Sequence, residues 1–523
     1  MNKKLLILLC LFVLSRIFFI NPLPVFFDSQ EYLNRFADPN LYRAIVTGHF
    51  PFHLSYVSLF WSIFHFAVFF KINPSFMVVF SQIAISTFAI YCFYRFIEII
   101  TNKETAFLTM ILAASFPLYW ITNVSIMTES TYVNFFLISL YFFALYCKTN
   151  YSRFYLALGC ILFGLSILNN PVIVFWTPFL LSVIYFLKKE RVAEALAGLI
   201  ISFVSAVLID SFFVTHSMRI PFMDGLRMYL FNDDLSSSPN VSQLLVVIRF
   251  VRNALFPIIQ NNTIIVLILS LISLVKVFKL NKKLFIVTIL WILPLPIVNQ
   301  WFNPLIAGRH GIITEFGFAF LIAILLKNKK IWFVILTTYL LIVFLPGLLL
   351  LKEPIPDLTE RSSIQSLPTG LLIESHFARP QIQGHYLGRV IYVNEQEPSK
   401  ESTTETINRY LKDEKPVFVT SQALSDPYGL YSGPYLNLIS LSYVGRYTLY
   451  DIITLYSVKK YETIDADRGL LIYKINSQKK SAYPNIPILI FSRNTLNYFD
   501  PIYQLYLFSL QRLKLTKIYG LIK

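Results

Sequence analysis

The sequence predicts a polytopic α-helical membrane protein with about eleven spans and a C-terminal extracytoplasmic α/β domain. Of its 523 residues, 56% are hydrophobic and only 14% are charged, whereas soluble globular proteins carry roughly 25% charged residues. The mean hydropathy is +0.60. The 49 Phe and 31 Tyr residues suit a chain whose rings fill helix interfaces and membrane–water belts. Most of the chain therefore belongs in lipid.

Apolar stretches of spanning length recur through the first two thirds of the chain, since a span needs about 20 mostly apolar residues. The candidate spans lie near 5–22, 75–97, 105–122, 130–147, 154–169, 172–187, 193–214, 262–279, 284–299, 305–326 and 331–351. The start, MNKKLLILL, resembles a signal peptide, but Pro22 and Pro24 stand where a small-residue cleavage site would be. The first span is therefore predicted to be an uncleaved anchor.

Basic residues occur on alternate sides of these spans. The lysine-rich connections are Lys3-Lys4, the stretch from Lys148 to Arg153, KKER at 188–191, KLNKK at 279–283 and KNKK at 327–330. The opposite connections include FFDSQEY, NVSIMTES and ILNNP, and contain almost no lysine. The positive-inside rule then places the N-terminus in the cytoplasm. An odd number of spans places the C-terminal domain outside. The Asn-, Lys-, Ile- and Phe-rich composition indicates an A+T-rich prokaryotic genome and so favours a bacterial or archaeal plasma membrane.

The net charge of +16 comes from these cytoplasmic runs, so no nucleic-acid partner is expected. The four cysteines all fall within apolar spans and show neither a disulfide framework nor zinc-type spacing. The sequence indicates no certain cofactor. A requirement for a divalent metal remains an open alternative, although no motif points to one.

Residues 53–70 are apolar enough to be a twelfth span, but counting them would place the later lysine runs outside. They are predicted to form a juxtamembrane or re-entrant helix in the outer loop 22–74. The membrane domain is thus predicted over 1–351. Residues 352–523 contain the β-like runs GLLIES, RVIYVN, PVFVTS and GLLIYKI with the helix-like ETINRYLKDE, a pattern typical of a small α/β domain.

Acidic residues stand where outer loops meet helices. Asp28 and Glu31 open the first outer loop beside Tyr32, and Glu129 begins a span on the same predicted side. A carboxylate at the membrane surface can serve as a general base, because partial desolvation raises its pKa toward neutrality. Helix capping and the helix dipole explain the same acids without any chemistry. Their presence on one face favours a shared site.

Basic and imidazole side chains form a second set of candidates. Arg309 lies near the outer end of the tenth span beside His310, where a guanidinium can bind a lipid phosphate in a bidentate manner or reach the headgroups. Arg227 lies in the long outer loop 215–261. His49 and His53 are four residues apart, but without a third ligand they do not make a metal site.

The order of these features resembles the integral-membrane glycosyltransferases of the GT-C class. The motifs are an Asp-x-x-x-Tyr after the first span (Asp28, Tyr32), the GHFPF stretch, the acid Glu129 at an outer loop–helix junction and Arg309-His310 before a late span. Within the class, the chain is similar to the branch of protein O-mannosyltransferases and lipid A aminoarabinose transferases. The resemblance covers roughly residues 1–350.

The resemblance implies a donor sugar linked to a polyprenyl phosphate and a hydroxyl acceptor on a glycan, lipid or protein. It implies inverting hexosyl or pentosyl transfer at the outer face, in contact with membrane lipid. Asp28 is then the candidate general base and Glu129 a catalytic group that positions the acceptor or the base. The implied substrate-binding residues are Arg309, Tyr32, Glu31, His49, His53, Arg227 and His310.

Three other functions remain open from the sequence. A transporter or flippase of lipid-linked glycans needs polar groups through mid-bilayer, where only Asp210 and Glu315 stand out. An O-antigen ligase or polymerase would be expected to carry its site in a large late loop. A scaffold with a degenerate site would use its outer domain to bind a partner.

Overall fold

The structure is a computed structural model, and it describes a defined set of residues. These are residues 3–20, 27–48, 52–149, 152–224, 265–301, 311–350, 356–374, 382–392, 403–425, 456–465 and 470–476. Contacts divide the chain into two compact units, Met1–Leu23 with Glu31–Leu348 and Pro24–Gln30 with Leu349–Lys523. The domain boundary after residue 351 stays a prediction.

The described part of the first unit is helical. The first eleven α-helices of the chain are α1 Lys3–Phe18, α2 Phe27–Ala37, α3 Leu41–Val46, α4 Leu54–Phe69, α5 Pro74–Ile100, α6 Lys103–Ser115, α7 Pro117–Val124, α8 Thr128–Lys148, α9 Ser152–Asn169, α10 Thr177–Leu187 and α11 Val192–Met218. The first turn of α2, up to Gln30, is grouped with the second unit. Helix α12 covers the described residues 265–280. The unit continues with α13 Lys282–Ile292, α14 Pro294–Trp301, α15 Ile312–Leu326 and α16 Lys330–Leu350. Short 3₁₀ turns at Pro171–Trp176 and Lys189–Arg191 precede α10 and α11.

Each predicted span overlaps a helix or a helix pair in the described residues. By length and composition, three helical stretches there are long and apolar enough to cross a membrane: Pro74–Ile100, Thr128–Lys148 and Lys189–Ser217. Helices α6 and α7 pass the same test together, as a pair bent by 63°. These helices agree with an integral membrane protein, while the count of eleven and the orientation of the termini stay predictions.

Asparagine and proline set several helix starts. Asn73, Asn102 and Asn281 each accept a hydrogen bond from the backbone N–H three residues later, which satisfies a donor at the open end of α5, α6 and α13. Pro117 at the first turn of α7 follows the extended Phe116. Because proline has no N–H to donate to α6, the apolar run breaks there.

Helix α8 lies at the centre of the bundle and is buried along nearly its whole length. It packs against α5 and α9. Ser139 of α8 donates a hydrogen bond to the carbonyl of Gly159 in α9 (3.0 Å). The small residues at this crossing allow the two backbones to approach closely.

The second unit contains a five-stranded sheet. Its elements are α17 Pro356–Ser366, β1 Leu371–Glu374, β2 Arg389–Tyr392, α18 Thr403–Lys412, β3 Val417–Thr420, α19 Ser421–Ser425, β4 Ser457–Asp465 and β5 Leu470–Asn476. The strand order is β2-β1-β3-β5-β4, with β1 parallel to β2 and β3, and β5 antiparallel to β3 and β4. The four predicted runs all form strands, and the predicted helix is α18. Strand β4 was not predicted.

Helices cover both faces of this sheet. Ile407 of α18 packs with Val417 and Val419 on one face, and Ile364 of α17 packs with Leu372 and Phe418 on the other. The central strands β1 and β3 are buried at every position. Because both faces of these strands are covered, their sequences are continuous apolar runs and do not alternate between apolar and polar residues.

Candidate functional site

Aromatic side chains join the first outer loop to the start of α4. The ring of Tyr32 in α2 lies 5.8 Å from the His53 ring and 5.0 Å from the Tyr56 ring, both in edge-to-face geometry. Tyr32 and His53 are buried, and Tyr56 is fully buried. Edge-to-face pairs are the favoured aromatic arrangement. Two of the predicted binding residues, Tyr32 and His53, are therefore in contact.

His53 also connects this loop to α9. Its Nδ1 lies 2.5 Å from the backbone carbonyl oxygen of Asn169. The side-chain amide of Asn169 donates a hydrogen bond to the Thr128 carbonyl at the start of α8 (3.3 Å). His53 precedes α4 in a left-handed conformation (φ 51°), which is uncommon for a residue with a side chain. Three distant segments of sequence thus meet at one point.

Glu129 lies at this meeting point. It is only 2% exposed in the first turn of α8. The Thr128 hydroxyl donates a hydrogen bond to its Oε2 (3.3 Å), and the helix dipole favours a negative charge there. The Tyr56 hydroxyl lies within electrostatic range of both Glu129 and Arg35. Burial, a hydroxyl donor and a helix N-terminus fix one carboxylate next to Thr128, whose backbone carbonyl binds Asn169.

Glu31 enters the site through Arg35. The Arg35 Nη1 lies 3.6 Å from Glu31 Oε1, one helical turn away in α2. The same guanidinium donates to the carbonyls of Ala44 (2.7 Å), Ile45 (2.8 Å) and Phe52 (2.8 Å). Burial lowers the pKa of Arg35, and the nearby Tyr32 and Glu31 act in the opposite direction. Arg35 therefore holds both ends of the segment between α3 and α4.

A network of buried polar side chains extends from this site into the bundle. Tyr56 donates to Gln82 Oε1 (3.2 Å), and the Gln82 amide donates to Ser130 Oγ in α8 (3.1 Å). One turn further along α5, Ser86 accepts from the amide of Asn134 (2.7 Å). Sequence reasoning missed these residues. They could have been noticed in the sequence as polar side chains within apolar spans, because such side chains are costly to bury unless they are paired.

The other candidates lie outside what the structure describes. His49, Arg227, Arg309 and His310 are outside the described residues. Asp28 belongs to the backbone of α2, one helical turn before Tyr32, but its side chain is outside the description. Among the candidates, Tyr32 contacts His53 directly, Glu31 is linked to Tyr32 through Arg35, and Glu129 is linked to His53 through Thr128 and Asn169. The other five candidates stay predictions.

Two carboxylates noted in the sequence are buried elsewhere in the first unit. Asp210 in α11 is 1% exposed, and its carboxylate oxygens accept no hydrogen bond from any described residue. Glu315 in α15 is buried as well. Within the described ranges, no group of three or more His, Cys, Asp or Glu side chains is arranged to hold a metal ion.

A known family matches the part of the chain that contains much of this site. Residues 58–214 match the model of the family described as dolichyl-phosphate-mannose-protein mannosyltransferase. The matched segment includes Gln82, Glu129 and Asn169. The predicted resemblance to GT-C glycosyltransferases is therefore confirmed.

Solved structures of two proteins are similar to the chain. Oligosaccharyltransferase AglB from Archaeoglobus fulgidus, in complex with an inhibitory peptide and a dolichol-phosphate, is 11% identical with a TM-score of 0.46, covering 95% of this chain and 77% of that one. ArnT from Cupriavidus metallidurans in the apo state is 10% identical with a TM-score of 0.47, covering 89% and 97%. No curated protein sequence gives a significant match.

Proposed function

We propose, starting from the resemblance of residues 58–214 to the dolichyl-phosphate-mannose-protein mannosyltransferase family, that this chain is a membrane glycosyltransferase. It moves a hexosyl or pentosyl group from a polyprenyl-phosphate carrier to a hydroxyl acceptor on a glycan, lipid or protein. Transfer takes place at the outer face of the membrane, the side opposite the lysine-rich connections.

The observation that carries the proposal is the position of Glu129. A buried carboxylate is costly unless its environment stabilises it, and buried carboxylates in specific settings are concentrated at functional sites. Glu129 lies within the matched segment, and it follows Thr128, whose carbonyl binds Asn169, the residue that contacts His53. We assign it the positioning of the acceptor or of the general base.

The proposed reaction is a single displacement at the anomeric carbon. The acceptor hydroxyl oxygen forms a bond to that carbon while the bond from the carbon to the phosphate oxygen breaks, which inverts the configuration. Asp28 takes the hydroxyl proton as general base. The lipid phosphate leaves with its negative charge, which Arg309 stabilises by bidentate hydrogen bonding.

The proposal is tested by sugar transfer in membranes that contain the full chain. A panel of radiolabelled polyprenyl-phosphate sugars is supplied, and products are sought in lipid, glycan and protein fractions. Asp28→Asn is expected to reduce transfer by about 100-fold or more, because a general base contributes at least that factor. Glu129→Gln is expected to reduce it by about tenfold through loss of positioning.

Glu104→Gln is the matched control, since Glu104 is an exposed acid at the start of α6, the end of that helix predicted to face the cytoplasm, and it should transfer like the wild type. All variants are first checked for equal insertion into the membrane. Equal transfer by Asp28→Asn and wild type would remove Asp28 as the base. No transfer from any donor, beyond that of membranes lacking the protein, would contradict the function itself.

A further inference from the structure

The second unit contains a cavity of about 390 Å³ at one edge of its sheet. It lies where β3 begins and β5 ends. Its lining includes Glu414, Lys415, Phe418, Tyr461, Lys474 and Asn476. Ligand cavities in proteins measure roughly 300–1,000 Å³ and combine an apolar wall with a few polar groups. This cavity has the size and the mixed lining for one or two sugar rings.

Positive charge is concentrated at this edge of the sheet. Lys474 of β5 and Lys459 of β4 are direct register partners in the antiparallel pair, so both side chains lie on the same face. Both are exposed, and the described residues show no ion pair for either. Like charges directly opposite each other destabilise a sheet. An anion bound here relieves that repulsion.

A β-bulge places an aromatic ring beside these charges. Lys460 pairs with Tyr473 and Glu462 pairs with Ile472, so Tyr461 is the extra residue on β4. Bulges redirect side chains and are frequent next to functional sites. The Tyr461 ring is 47% exposed, and its centroid lies 4.9 Å from that of Phe418. It offers an apolar face to a ligand in the cavity.

The remaining wall is an ordered turn. Glu414 has a left-handed conformation (φ 58°), which is uncommon for a residue with a side chain. Two backbone hydrogen bonds at the end of α18 hold it, from Glu414 N to Leu411 O (3.2 Å) and from Lys415 N to Tyr410 O (2.9 Å). The turn places the Glu414 carboxylate at the cavity together with a third lysine, Lys415, whose Nζ lies 3.7 Å from Asp413 Oδ2.

We propose that this cavity binds an acidic saccharide. One sugar ring packs its C–H face on Tyr461, and the acid group of the saccharide binds Lys474 with Lys459 and Lys415 nearby. Glu414 accepts hydrogen bonds from sugar hydroxyls, and Asn476 can both donate and accept them. The lysines outnumber the single lining carboxylate of Glu414, so an acidic sugar is favoured over a neutral one. The site concerns binding within the second unit and stands independently of the proposed transfer.

The test uses the full chain in lipid nanodiscs and isothermal titration calorimetry. The probes are trigalacturonic acid, glucose 6-phosphate, the neutral maltotriose and a triglutamate peptide. Wild type is expected to bind at least one acidic saccharide about tenfold more tightly than maltotriose, as charge-assisted hydrogen bonds are about twice as strong as neutral ones. Preference for the uronate or for the phosphate identifies which acid group is recognised, and either result supports the proposal.

Three variants make the test specific. Lys474→Gln should weaken binding of the acidic saccharide by about tenfold while maltotriose binding changes little. Tyr461→Ala should weaken both saccharides. Lys460→Gln is the matched control, because Lys460 is an exposed lysine of the same strand whose register partner is Tyr473 on the opposite face, and it should bind like the wild type.

Several outcomes would overturn the proposal. These are equal binding of acidic and neutral saccharides, tighter binding of triglutamate than of either acidic saccharide, or no binding at all by the wild type. If Lys460→Gln and Lys474→Gln weakened binding of the acidic saccharide equally, binding would depend only on the overall positive charge and not on this cavity. Because all the substituted side chains are exposed, the variants are expected to fold, and equal unfolding temperatures check this.

Discussion

Arg16 and Arg35 are 2% and 3% exposed, and each guanidinium binds backbone carbonyls, but their surroundings differ. Arg16 in α1 donates to the carbonyl of Ala114, and its guanidinium lies 3.9 Å from the Phe12 ring centroid and 4.0 Å from that of Trp120. It has no acidic partner among the described residues. Arg35 binds three carbonyls and is paired with Glu31.

Both arginines act at places where a helix ends and leaves carbonyls without partners. Arg16 does so at the break between α6 and α7. Arg35 does so at the end of α3 and ties that end to Phe52, next to His53. Of these two arginines, Arg35 beside the candidate site is the one with an acidic partner among the described residues. The comparison teaches that aromatic rings are enough to accommodate the buried guanidinium of Arg16 at the break between two helices. The guanidinium of Arg35, in the loop that carries the site, is held instead by an ion pair and three hydrogen bonds to carbonyls.

The largest effect is expected from Arg35→Met. Removing the guanidinium takes the donor from three carbonyls and removes the ion pair with Glu31, and breaking a buried pair costs about 3–5 kcal/mol. Thermal unfolding in detergent, followed by tryptophan fluorescence, measures the loss of stability. Arg43→Met is the control, because Arg43 is exposed and its ion pair with Asp38 lies at the surface. Equal losses of stability in the two variants would show that the hydrogen bonds of Arg35 stabilise the fold no more than a surface ion pair does.

A smaller loss, about 1–2 kcal/mol, is expected from Arg16→Met. The variant loses the hydrogen bonds to Ser15 Oγ and the Ala114 carbonyl and two cation–π contacts. It also removes a buried charge that has no acidic partner among the described residues, which offsets part of the loss. The same unfolding measurement compares it with Arg35→Met. A loss at Arg16 as large as that at Arg35 would break the comparison between the two arginines.

Gly48→Ala is expected to cost about 1 kcal/mol through overpacking. A Cβ at position 48 would lie 2.6 Å from Arg35 Cζ, so the guanidinium must move away from its carbonyls. Gly164→Ala is the control, since its nearest neighbours are 3.8 Å away. In an Arg35→Met background the cost of Gly48→Ala should disappear. If the cost of Gly48→Ala persists in that background, the glycine is required by a contact other than the one with Arg35.

The smallest effect concerns the exposed pair of Asp38 and Arg43. The hydrogen bond from Arg43 lowers the pKa of Asp38. A carboxyl with a lowered folded-state pKa stabilises the protein above its ordinary pKa, and this contribution is lost as the pH falls through the lowered value. The difference in unfolding temperature between wild type and Arg43→Met should therefore be small at pH 7 and vanish in acid. A difference that is unchanged in acid would exclude the ion pair as its source.

The helices and most strands could be predicted because their signal is local. Apolar runs of spanning length and short β-branched runs such as VFVT carry their structure in their own composition. Strand β4 was missed because SVKKYETID is an edge strand with two lysines and a bulge. Its pairing depends on β5 and not on an apolar pattern of its own.

The site was predictable only in part, for a physical reason. Glu129, Tyr32 and His53 could be selected because they are unusual side chains at the ends of apolar segments. The contacts that bring them together could not, because the partners of His53 and Arg35 are backbone carbonyls, which every residue has. The predictions at Asp28, His49, Arg227, Arg309 and His310 await their own tests.

The left-handed backbone at His53 narrows the range of sequences this fold accepts. A substitution there must satisfy the backbone and must also replace a ring nitrogen bound to the Asn169 carbonyl and a ring packed on Tyr32. Glycine and asparagine meet the first demand, and neither supplies the ring. In a library of random substitutions, position 53 should therefore be almost invariant, although nothing in its chemical reactivity need be the cause.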